Sequence, residues 1–329
     1  MYEKFYGLTE KPFNTTPDSK FFFPSAKHTE ALSSLLYAIT ERRGFVVITG
    51  EIGAGKTTVT RTLLNKLDIA TKVALITNTH LTPKELIVQI LEELEIEYKP
   101  GGKQKLLSQL NAYLVRQLAN DVNVVIIIDE AQNLAPKVLE EVRMLSNLET
   151  EKEKLVQIIL VGQPQLKEKL NNPKLEQFKQ RIALYYHLAP LSRQETDEYV
   201  RHRIKLAGAG QNEVFTSDAI DMLYSHSRGV PRIINLLCDS ALLSGYIYDS
   251  KQITEKIIYE AIKEREITHT AESAVSEEKL LQAIYCCSDC KEYASCEIKW
   301  IRGTKGEKQA CCAKCQSHAQ CLKGASKIN

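Results

Sequence analysis

The sequence predicts an α/β protein: a doubly wound parallel sheet, then a small all-helical unit, then a cysteine-rich stretch. Three observations predict it. Five continuous apolar runs alternate with helical patterns through the first 190 residues. Runs that lack polar alternation suit parallel strands covered on both faces, and βα alternation suits a doubly wound sheet. From Ser192 the pattern becomes all-helical, and eight of the nine cysteines fall between Cys286 and Cys321.

The strands are expected at 44–49 (GFVVIT), 72–77 (KVALIT), 122–128 (VNVVIII), 155–161 (LVQIILV) and 182–188 (IALYYHL). Helices are expected between them, at Thr57–Leu67, Pro83–Leu94, Gln104–Leu118, Pro136–Leu148 and Gln165–Leu170. The later stretch SRQETDEYVRHRIKLAG starts on a capping Ser and stops on Gly208. TSDAIDMLYSHSRG, VPRIINLLCDSALLSGYIY and TEKIIYEAIKERE complete a bundle of four short helices. Residues 267–278 are small, polar and unpatterned, which reads as a linker, and EKLLQAIY reads as a short helix after it. The expected domains are therefore an α/β core at 1–190, helices at 191–266, a linker and short helix at 267–285, and a cysteine-rich module at 286–329.

The formal net charge is only +2, so charge alone gives no case for nucleic acid or a membrane surface. The opening MYEKFYGLTEKPF lacks the apolar core of a secretory leader, and no apolar run reaches the length of a membrane span. A cytoplasmic protein without a membrane span is the expectation.

GEIGAGKTT at 50–58 fits the phosphate-loop pattern G-x4-G-K-[ST]. It lies between an expected strand and an expected helix, which is the context the pattern requires. Gly50, Gly53 and Gly55 let backbone N–H groups turn inward around a phosphate, with Glu51, Ile52 and Ala54 supplying the rest of the loop. The helix N-terminus behind the loop favours an anion. Lys56 reaches the β- and γ-phosphates, Thr57 ligates Mg²⁺, and Thr58 continues the helix start. In VVIIIDEAQ, Asp129 ends a buried strand, where a carboxylate is costly without a cation, so it is the second Mg²⁺ candidate. Glu130, next in line, is placed to polarise an attacking water. Gln163 follows a strand and can touch the γ-phosphate, or simply cap the strand end. Arg181 and Arg232 are candidate phosphate contacts, with surface ion pairs as the plainer alternative.

The motifs GEIGAGKTT, DEAQNL, EEVRMLSNLET, LVGQPQL, QRIALYYHLAPLS and GVPRIINLLCDSALLSGY, in that order, resemble the general secretion pathway protein A (ExeA-type) AAA+ ATPases. Pilus-biogenesis and exosortase-associated ATPases are similar. The resemblance covers roughly residues 1–265. It implies an AAA+ P-loop fold with a helical lid, ATP and Mg²⁺ as ligands, a homo-oligomer, and a protein partner in an envelope or export machine. By matching motif, Lys56 and Thr57 take the Walker A roles, Asp129 and Glu130 the Walker B pair, and Gln163 sensor 1. Arg181 takes the finger that reaches a neighbouring subunit's nucleotide, and Arg232 sensor 2. The resemblance also suggests Phe13 near the adenine, with core packing as the alternative. Secretion members continue into a membrane span and a wall-binding domain; in this sequence the cysteine-rich stretch takes that place. A more distant resemblance, to MuB/TniB transposition ATPases, implies ATP-dependent DNA binding in a mobile element as the alternative function.

The cysteines form two copies of one cassette, C-C-x2-C-x5-C, ending at Cys296 and Cys321. Cys287, Cys290, Cys312 and Cys315 supply paired C-x2-C turns, enough for one tetrahedral Zn²⁺ site. Cys286, Cys296, Cys311 and Cys321 suffice for a second, with His318 as a spare ligand. A short segment with Trp300 as its one Trp cannot build a core alone, so metal would supply the folding energy. Two zinc sites are the expectation; an iron–sulfur cluster and disulfides are the alternatives. Cys238 sits on an apolar helix face and is expected to be buried.

Overall fold

The computed structural model describes residues 1–265, except 17, 69, 152 and 210–212. The expected linker, the short helix and the cysteine-rich module, with Cys286, Cys287, Cys290, Cys296, Cys311, Cys312, Cys315 and Cys321, lie outside the described residues. Met1–Tyr259 form one compact unit; of the second, Glu260–Asn329, only 260–265 are described.

The first unit begins with a short helix α1 (Tyr2–Tyr6) and a long one, α2 (Ala26–Thr40). β1 (Phe45–Gly50) leads into α3 (Lys56–Lys66), and β2 (Lys72–Ile76) into α4 (Pro83–Glu93) and α5 (Lys103–Ala119). β3 (Val124–Ile128) precedes α6 (Pro136–Leu145), and β4 (Gln157–Gly162) precedes α7 (Pro164–Leu170) and α8 (Glu176–Lys179). β5 (Ile182–Leu188) closes the sheet, and α9 (Arg193–Leu206), α10 (Ser217–Ser227) and α11 (Pro231–Ile247) follow. Helix starts carry their caps. Thr82 and Ser192 form capping boxes with Glu85 and Glu195, and Thr216 accepts from the Ala219 N–H.

All the strand pairs are parallel, in the order β2-β3-β4-β1-β5. β4 therefore lies between β1 and β3, and all five strands end at the same edge. Side chains alternate between two buried layers. Phe45, Val47, Ile126, Ile128, Ile158 and Leu160 pack under α4, α5 and α6. Val46, Ile48, Val125, Ile127, Ile159 and Val161 pack on α2 and α3. This is why the inner strands read as unbroken apolar runs.

Several features differ from the sequence expectation, the short helices α1 and α8 among them. α2 covers much of one sheet face and was not anticipated. β5 alternates between half-buried and exposed positions, because it is an edge strand with β1 as its strand neighbour. α6 ends at Leu145 instead of 148, which frees Ser146 and Asn147 for other contacts.

Candidate nucleotide site

The loop 50–56 leaves the carboxyl end of β1 and runs into α3. Two of its glycines are required by geometry. Gly53 (φ 80°) and Gly55 (φ 98°) adopt left-handed backbone, and a Cβ on Gly53 would come within 2.5 Å of the Arg232 Cβ. Lys56 is buried, and its ammonium donates to the carbonyls of Gly50 (2.8 Å) and Glu51 (3.0 Å). Burial lowers its pKa below the usual lysine range, against the pull of Glu130, Asp129 and Glu51.

β3 delivers the acidic pair. The Thr57 hydroxyl donates to the Asp129 carboxylate at 3.5 Å, and the Glu130 N–H donates to the other Asp129 oxygen at 2.9 Å. Burial pushes the Asp129 carboxyl above its ordinary pKa, more than those contacts and Lys56 offset. A desolvated carboxylate beside a hydroxyl is an oxygen donor set that suits a hard divalent cation. Glu130 has positive φ (50°), a left-handed backbone just past the end of β3. Its carboxylate accepts from the side-chain amides of Gln132 and Gln163, the latter at 3.2 Å. Gln132 also accepts from the Gln163 N–H at 3.0 Å, so β3 and β4 are tied together here.

One cleft of about 430 Å³ gathers Gly53, Gly55, Lys56, Thr57, Thr58, Glu130, Gln163 and Arg232. Arg232, at the start of α11, also donates its backbone N–H to the Gly53 carbonyl at 3.2 Å. Arg181 lies elsewhere. It precedes β5 and is held by Asn147 and by Ser146 (3.4 Å). Ile182 pairs with Phe45 while Leu188 pairs with Gly50, so Arg181 sits at the opposite end of the strands from the loop, roughly 20 Å away.

The cleft has walls that motif reading missed. Asn14, Thr16, Phe21, Phe22, Phe23 and His28 line it from the N-terminal segment, and Tyr199, Arg203 and Asn235 from the helices. Phe13 is not among them; it is buried edge-on against Phe215. Arg203 is 6% exposed and donates to the carbonyls of Pro12 (2.5 Å) and Asn14 (3.5 Å) and to the Tyr199 hydroxyl (2.7 Å). Its guanidinium also stacks 4.8 Å from the Phe21 ring. The one available signal was the run of aromatics at 21–23, since Arg203 meets partners about 190 residues away.

Strand order, glycine loop and acidic strand end together define an AAA+ P-loop fold. Residues 39–170 match the family described as "AAA domain". The chain is similar to general secretion pathway protein A of Aeromonas hydrophila, with 44% identity over 254 residues, 77% of this chain and 46% of that protein. The chain thus spans about half the length of that relative. Among solved structures, it is similar to Drosophila ORC bound to DNA (TM-score 0.63, 17% identity, 100% of this chain and 85% of that one). It is also similar to the Aeropyrum pernix ORC1 protein in complex with DNA (TM-score 0.61, 16% identity, 86% and 78%). At that identity these structures speak to fold alone. Among the described residues, no helix is long and apolar enough to cross a membrane, and no three His, Cys, Asp or Glu side chains gather as a metal cluster.

Proposed function

We propose that the chain is a Mg²⁺-dependent, cytoplasmic ATPase whose cycle drives assembly or remodelling of an envelope or export machine. The observation that carries this reading is the convergence of Lys56, Thr57, Asp129, Glu130 and Gln163 at the carboxyl edge of one parallel sheet. The likeness to a secretion-pathway protein supports the secretion side; the machine and the partner belong to the proposal.

The loop amides and Lys56 would grip the triphosphate, with Lys56 exchanging its two carbonyl contacts for phosphate oxygens. Mg²⁺, held by Thr57 and Asp129, would neutralise phosphate charge. Glu130 orients the attacking water and accepts its proton as the new P–O bond forms and the bond to ADP breaks. Gln163 holds that carboxylate and faces the same cleft. Arg181 cannot reach its own loop and would complete the site of an adjacent subunit in a homo-oligomer. Arg232 couples the nucleotide to α11, so that ATP closes the helices on the sheet. The two cysteine cassettes would hold two zinc ions and form the module that meets the target.

The test is phosphate release by the purified chain beside Lys56→Ala and Glu130→Gln. Release that survives both substitutions unchanged sinks the reading. The alternative, ATP-dependent DNA binding, is not favoured by the secretion-protein likeness; ATP-enhanced, steeply salt-dependent retention of DNA on a filter would restore it.

A further inference from the structure

His28 lies on the first turn of α2, 6% exposed, and lines the cleft beside the phosphate loop. Its Nε2 is 3.1 Å from the Ala54 carbonyl oxygen, and its Nδ1 is 2.8 Å from the Ser25 hydroxyl. A carbonyl can only accept, so Nε2 carries the hydrogen and Nδ1 receives the Ser25 O–H. Ser25 also accepts from the His28 backbone N–H at 3.3 Å, as the N-cap of α2. The ring is therefore fixed at both nitrogens. It sits so close to the loop that a Cβ on Gly55 would come within 2.9 Å of Nε2. Phe22 packs edge-on against the ring, with ring centres 6.2 Å apart.

The bond acts on a specific peptide. In a trans peptide the N–H points opposite to the C=O. Anchoring the Ala54 carbonyl thus sets the direction of the Gly55 N–H, one of the amides of the cradle. Gly55 is in left-handed backbone at φ 98°, and a second left-handed glycine, Gly53, lies on the other side of Ala54. Glycines leave such a loop many alternatives, and an external anchor removes them. On the other flank, the Gly53 carbonyl is anchored by the Arg232 backbone N–H. The loop is held from two sides, by the start of α11 and by the first turn of α2.

We propose that His28 is a positioning residue of the phosphate loop, whose Nε2–H fixes the Ala54–Gly55 peptide in the orientation that binds the triphosphate. The inference rests on the ATP reading above. It predicts an effect on nucleotide affinity that depends on which ring nitrogen a substitute can mimic. Glutamine places an amide N–H near the position of Nε2; asparagine reaches only the position of Nδ1.

The experiment titrates a fluorescent ATP analogue into the full chain and into His28→Gln, His28→Asn and His28→Leu, with steady-state hydrolysis alongside. His28→Asn and His28→Leu are expected to bind about tenfold more weakly, the scale of one buried hydrogen bond. His28→Gln should stay within about threefold of the parent, and kcat/KM should fall in the same order as affinity. A residue that merely filled the core would lower the melting temperature without separating Gln from Asn. The Gln/Asn pair decides the matter even where His28→Leu fails to fold. Equal affinity for Asn and the parent overturns the proposal, as does a Gln variant as weak as Asn. If the parent and Lys56→Ala bind the analogue equally, it is the ATP reading itself that fails.

Discussion

The hydroxyl of Thr57 and the carboxylate of Asp129 meet at 3.5 Å, although 72 residues separate them in the chain. The meeting requires β1 and β3 to end at one edge with β4 between them, and the loop after β1 to bend across that gap.

Lys56→Ala should abolish nucleotide binding. Its ammonium is poised on two loop carbonyls, and losing two charge-assisted contacts weakens ATP by roughly a hundredfold or more. Equilibrium binding of radiolabelled ATP checks it; unchanged affinity refutes the assignment.

Glu130→Gln should bind ATP normally and hydrolyse it about a hundredfold more slowly, since a neutral amide cannot accept the water's proton. A single-turnover measurement separates this from slow product release.

Arg181→Ala should retain ATP affinity and lose about a thousandfold in turnover. Mixing it with Lys56→Ala should recover part of the activity, because one subunit brings the intact loop and the other the intact arginine. No recovery at any ratio argues against a role across subunits.

Asp129→Asn should stabilise the nucleotide-free protein at neutral pH while ending Mg²⁺-dependent turnover. The folded state raises this carboxyl's pKa, so the fold binds more protons than the unfolded chain as pH rises from the usual aspartate value to the raised one. Stability falls through that window, and the cost is fully present above it. Removing the charge should therefore raise the melting temperature. An unchanged or lower value would mean that burial does not strain this group.

Metal analysis of the purified chain is expected to give two zinc ions, and Cys290→Ser to lose one of them. A metal-free preparation that remains competent in every assay would remove the zinc module.

Much of the fold was legible because its signals are local. The loop at 50–56 declares itself by residue type, and each inner strand is a short apolar run with a turn beyond it. α2 carries a local signal too, with Ser25 before it and Ala31, Leu32, Leu35, Ala38 and Ile39 at helical spacing ahead of the first strand. The strand order and the cleft walls were not legible. Arg203 looks like one more helix-surface arginine; its partners Pro12 and Asn14 reach it only through packing of distant segments. Likewise, nothing in the spacing of His28 and Ala54 announces that they touch.

The placement of Arg181 at the far end of the strands from its own loop has a consequence for symmetry. If it serves a neighbour's cleft, the surface that gives and the surface that receives are different parts of one molecule. Where such a contact is heterologous, head-to-tail addition either closes as a ring or continues as a helical filament. An open row always ends in one unfinished cleft, so specific activity should climb with protein concentration and level off where rows close.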